Sequence, residues 1–159
     1  MKKIVFAACL LVCILALAGC SAAETHEPPA ESVSVSEIDL SGVRAIRIDS
    51  GTTGEKVLLT GPDDIAALIS AVAPLSGSDP VSSRGYYGWT YGFEFFETQS
   101  PEENDDPVWS FALFDANADT TYLICGVYEF INGVQYGAMY SVDPETADAV
   151  ESLCASFYR

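Results

Sequence analysis

One histidine, His26, occurs in 159 residues, and it lies in a Ser/Ala/Glu/Pro stretch ahead of the segments that read as folded. A Ser-His-Asp or Cys-His catalytic site within one chain is thereby excluded from the domain, as is a zinc site with a histidine ligand. Basic residues are scarce too: 7 Lys+Arg stand against 23 Asp+Glu, a formal net charge of −16. So acidic a surface repels a phosphate backbone, which argues against nucleic-acid binding. It also offers no basic patch to anionic lipid. The patterns G-x-S-x-G, S-x-x-K and H-E-x-x-H are missing, and no cysteines are spaced C-x-x-C. The longest apolar run, Ile4 to Leu17, is too short to cross a bilayer comfortably.

What is present starts at that run. Lys2 and Lys3 form a positive n-region, Ile4 to Leu17 an apolar h-region, and Leu17-Ala18-Gly19-Cys20 closes it. This ordered set resembles a bacterial lipobox. The resemblance implies cleavage before Cys20, lipidation of the Cys20 sulfur, and a membrane-anchored protein on the cell surface or the periplasmic face. Two or three acyl chains anchor durably, because each buried CH₂ contributes about 0.8 kcal/mol. Residues 1–19 are then the signal peptide, residues 20–36 the lipidated Cys and a flexible tether, and residues 37–159 a single domain. Ser21 in place of Asp resembles the pattern sent to an outer membrane where a host has two.

Two cysteines stay with the domain. Cys125 alternates with Leu123 and Val127, and Cys154 shares a helix face with Val150 and Phe157, so both point inward. Outside the cytoplasm they either form a disulfide or pack as two small buried hydrophobes.

Periodicity places the elements. Arg44 to Asp49 alternates, Gly51 to Gly54 turns, and Lys56 to Thr60 returns as a second strand. Ile65, Leu68, Ile69 and Val72 form an apolar stripe behind Pro62-Asp63-Asp64, a helix start. Ser76 to Gly85 reads as a loop, and Tyr86 to Phe96 as one long aromatic strand. Strands follow at Val108–Phe114, Thr120–Phe130 and Val134–Val142, the last pair joined by Asn132-Gly133, a type I′ turn signal. Asp143-Pro144 opens a helix through Phe157. The expected fold is α+β: an antiparallel sheet of about six strands in the order ββ-α-ββββ-α, with two amphipathic helices on one face. That order resembles TBP-like and helix-grip folds. The lipobox, the tether and the strand–Gly-turn–strand–helix opening together resemble small lipoproteins of unknown function from Gram-positive gut bacteria. The resemblance supplies no active site.

Few residues carry chemistry. Asp115, Asn117 and Asp119 are spaced like the start of a calcium loop, but Thr120 and Gly126 stand where its Gly and Glu belong, so a solvated turn is the favoured reading and no metal is assigned. Gly51 to Lys56 lacks the spacing of a phosphate loop. Glu102, Glu103, Asp105 and Asp106 form an acidic loop. A carboxylate-only enzyme acting on glycans would need two of Glu94, Glu97, Glu129 and Asp115 to flank one bond. The aromatic run is the best candidate binding surface, with Tyr86, Tyr87, Trp89 and Tyr91 as its residues and Tyr128, Tyr136 and Tyr140 extending it. The expectation is a non-catalytic, cofactor-free envelope protein that presents this surface to a protein, peptide or glycan. The alternatives are the carboxylate-only enzyme and an inhibitor or regulator of an envelope enzyme or sensor.

Overall fold

The computed structural model describes residues 29–117 and 120–158. The lipobox, Cys20, His26 and Asp119 lie outside the described residues. In chain order the elements are β1 (Ser32–Ser34), a 3-10 turn (Val35–Glu37), β2 (Ala45–Ser50), β3 (Lys56–Leu59), α1 (Pro62–Val72), β4 (Ser76–Ser82), β5 (Tyr91–Phe96), β6 (Trp109–Asn117), β7 (Thr120–Ile131), β8 (Val134–Val142) and α2 (Pro144–Phe157). The strands form one antiparallel sheet, ordered β1-β4-β8-β7-β6-β5-β2-β3.

The fold class holds, but the sheet has eight strands among the described residues, not about six. Both additions fall where the sequence reads as irregular. β1 lies inside the stretch assigned to the tether, so the ordered domain begins before residue 37. β4, Ser-Gly-Ser-Asp-Pro-Val-Ser, lies in the expected loop after the first helix. The two pair with each other, and β4 also pairs with β8 across a register shift between Ser78 and Val81. Asn132 and Gly133 take φ of 52° and 79°, as a type I′ hairpin turn requires. Asp143 caps α2 by accepting from the Thr146 amide at 2.9 Å.

Both helices cover one face. Ile65, Leu68 and Val72 of α1 and Ala147, Val150 and Cys154 of α2 close a core with Ile46, Ile48, Phe93, Phe95, Phe111, Leu113 and Leu123 of the central strands. That core and the residues packed on it lie within 33–158, so this stretch folds around its own interior.

Two long connections follow from the strand order. β3 is one edge of the sheet, and β4 is next to the other, so α1 carries the chain across the whole helical face. β4 must then reach β5, with β8, β7 and β6 in between. Residues 83–90 make that return over the opposite, helix-free face as a strap. Ser83 exchanges hydrogen bonds with Gly137 of β8, its amide donating at 3.0 Å and its Oγ accepting at 2.8 Å. Tyr86 then meets Tyr122 of β7 at 6.2 Å and stands edge-on to Phe114 of β6 at 5.4 Å. The strap ends where Thr90 donates to the Leu113 carbonyl and accepts from the Gly51 amide.

Candidate functional site

The strap sets the site. Gly85 and Gly88 take φ of 89° and 82°, the left-handed region that glycine enters at no steric cost. These two turns break the aromatic alternation expected of one long strand. Tyr91 stays on the helical face, half-buried, 6.0 Å from Tyr158, which caps the C-terminus of α2. Trp89 is turned to the helix-free face. There its indole lies where Gly92 of β5 and Gly51 of the β2–β3 turn leave room: a Cβ on Gly92 would stand 3.3 Å from Nε1, and one on Gly51 would stand 3.1 Å from Cδ1.

Beside Trp89 is a pocket of about 290 Å³. Gly92, Ser110, Ala112 and Gly126, from three adjacent strands, form a floor of small residues. Arg47, Asp49 and Glu94 supply its charge. Arg47 donates to Glu94 Oε2 at 2.7 Å and to the Glu102 carbonyl at 2.9 Å, and its guanidinium sits 4.8 Å from the centre of the Phe96 ring. Asp49 pairs with Lys56 at 3.1 Å. The walls of the pocket are thus a planar aromatic and charged groups already fixed in position by their partners.

Of the four surface residues expected from sequence, three are exposed together: Tyr86 at 44%, Tyr87 at 91% and Trp89 at 48%. Tyr91 is not part of that surface, because the two glycine turns separate it from the strap. Tyr140 does not extend the surface either. It is 3% exposed and its hydroxyl donates to the Ala30 carbonyl at 2.9 Å, which pins the start of the domain. Tyr128 and Tyr136 are half-buried.

The four candidate carboxylates are not brought together. Glu94 lines the pocket and is held by Arg47. Glu129 accepts from Ser82 Oγ at 2.6 Å, and Glu97 and Asp115 are exposed beyond the pocket. For the calcium reading, the Asn117 side chain and Asp119 lie outside the described residues. Among the described residues, no group of three or more His, Cys, Asp or Glu could hold a metal ion.

Cys125 and Cys154 both face the core, as expected, and both are free thiols rather than a disulfide. Burial pushes Cys125 up to about 11, and burial, with Glu151 adding to it, pushes Cys154 up to about 12. Neither is a thiolate near neutral pH, so both act as packing groups.

Sequence periodicity missed Glu151. Burial raises its carboxyl above the ordinary value of 4.5, a hydrogen bond with Thr90 opposes the shift, and the charges of Asp115 and Asp148 add to it. A raised acid binds its proton more tightly when folded, so the folded state gains as pH falls and loses as pH rises through that range. We expect Glu151→Gln, which keeps an acceptor for Thr90, to raise Tm at pH 7 and to leave it unchanged near pH 4. A Tm gain of the same size at both pH values would show that the charge is not the cause.

Comparison of the chain with protein-family models, curated proteins and solved structures finds no match.

Proposed function

We propose that the chain is a non-catalytic, lipid-anchored protein of the cell envelope, and that its helix-free sheet face binds a partner there. The observation that carries this reading is the exposure of Tyr86, Tyr87 and Trp89 on one strap above a pocket of small, apolar and charged residues. Large aromatics held out to solvent cost burial energy, and binding surfaces favour them because they bring contact area at low entropic cost. The pocket favours a glycan over a protein. A flat indole beside a floor of small residues suits the C–H face of a sugar ring, and Arg47, Asp49 and Glu94 offer both donors and acceptors to hydroxyl groups. At about 290 Å³ the pocket is of the size that holds one or two such rings. The anchor rests on Leu17-Ala18-Gly19-Cys20 and sets the face to work outside the cytoplasm.

The test is retention of the purified domain on isolated cell-wall glycan and on a panel of soluble oligosaccharides. Tyr87→Ala/Trp89→Ala should cut retention at least tenfold while leaving far-UV circular dichroism unchanged. Retention equal in the double variant would remove the aromatic strap from the function. In parallel, metabolic labelling with a radioactive fatty acid should mark the wild type and not Cys20→Ala. Equal labelling of both would remove the anchor.

A further inference from the structure

The helical side of the domain carries a second concavity, unrelated to the strap. It is a groove of about 810 Å³ between α1 and the chain from the 3-10 turn to the start of β2. Its lining is mainly apolar, from Val35, Ile38, Leu40, Val43, Ile65 and Ile69, with serine, threonine and glutamine side chains among them. A volume of this order is within the range of about 300–1,000 Å³ that small-molecule sites occupy. Its charge runs against the rest of the molecule. The chain has 23 acidic residues, yet none of those among the described residues lines this groove, and the one charged lining residue among them is Arg44. Arg44 is exposed, and it is in neither ion pair found among the described residues, Arg47–Glu94 and Lys56–Asp49. The nearest acid in sequence on the 3-10 side, Asp39, is already committed to the Ser41 amide.

From this geometry we infer that the groove binds one single-chain fatty acid, with the alkyl chain along α1 and the carboxylate at Arg44. An apolar channel alone would not select a ligand. The selection comes from one cation that is in no ion pair among the described residues, in a groove that none of the described carboxylates lines, Glu97 lying beside it against Gly42. A fatty acid matches both parts: a flexible chain gains with each methylene buried, and its single anionic head needs a single cationic partner. Arg44 lies immediately before β2, and its backbone amide donates to Phe96 O at 2.8 Å, so the side chain starts from a fixed position.

The test uses the chain from Ser21 onward, which contains the whole core, and titration calorimetry below micelle concentrations. Decanoate, dodecanoate and tetradecanoate should bind in rising order, each pair of methylenes tightening binding roughly tenfold. Arg44→Ala should weaken dodecanoate about fivefold and leave dodecanol unchanged. Ala66→Trp fills the groove from an exposed helix position and should abolish binding of both, with the fold checked by circular dichroism. Affinity independent of chain length, equal loss of acid and alcohol in Arg44→Ala, tighter binding of dodecylammonium than of dodecanoate, or undiminished binding by folded Ala66→Trp would each overturn the assignment. So would adhesion to phosphatidylglycerol vesicles with no binding of dodecanoate, which would make the face a membrane contact instead.

Discussion

Phe93→Ala should destabilise the domain by about 3–5 kcal/mol, a loss on the scale of the whole stability of many single domains. Phe93 is 1% exposed at the centre of the sheet, opposite Ile48 on one side and Phe111 on the other. Its ring stacks on Phe111 with centroids 4.6 Å apart, and Phe95 extends the stack at 5.9 Å. Removing it takes away the buried surface and leaves a void that β2 and β6, fixed by their ladders, cannot close. Urea unfolding should show a lower midpoint with an unchanged slope. Tyr87→Ala, at 91% exposure, is the control and should shift stability by no more than about 0.5 kcal/mol. Similar midpoints for the two variants would show that the aromatic stack is not the core.

Gly51→Ala should break the link between the β2–β3 turn and the strap. A Cβ there would fall 1.7 Å from the Trp89 carbonyl oxygen and 2.8 Å from its carbonyl carbon. Those are backbone atoms, so no rotamer change relieves the clash, and the strap has to lift. Overpacking of this kind costs typically about 1–3 kcal/mol. The Gly51–Thr90 hydrogen bond would be lost with it. In a Trp109→Phe background only Trp89 emits, and its fluorescence should shift to longer wavelength as the indole leaves Gly92. Retention on glycan should fall as well. An unshifted spectrum would mean that Trp89 does not rest where Gly51 and Gly92 leave room for it.

The sequence carried the hydrophobic periods faithfully. Both helix stripes, the β2–β3 and β7–β8 hairpins and the inward facing of Cys154 follow from spacing alone, because each is a local pattern against one buried face. β1 and β4 were invisible for the opposite reason. Their Ser, Gly, Asp and Pro residues disfavour strands, Asp79 takes φ of 53°, and only the pairing of β4 with β8 holds them extended. The aromatic run misled in a different way. Tyr87, Trp89 and Tyr91 keep a period of two, but Gly85 and Gly88 turn the chain between and before them, so the alternation does not describe a face. The pocket residues left a faint signal. Gly92 and Glu94 alternate with Phe93 and Phe95, and Arg47 sits between Ile46 and Ile48, so an opposite face of small and charged residues was there to be read. What no spacing could reveal is that the strap lies across it.

The opposed courses of α1 and the strap also set an order of assembly. β6, β7 and β8 follow one another closely in sequence and pair as antiparallel neighbours, and such hairpins close within microseconds. β2 pairs with β5 across more than forty residues of chain, and β1 with β4 across a similar span, so these contacts bear the larger loop-closure entropy. The meander therefore serves as the scaffold on which the two crossings settle, one over each face. Amide exchange should be slowest in β6 and β7 and fastest in β1, β4 and the strap. The segment that displays Tyr87 and Trp89 thus docks only after the meander it crosses has formed.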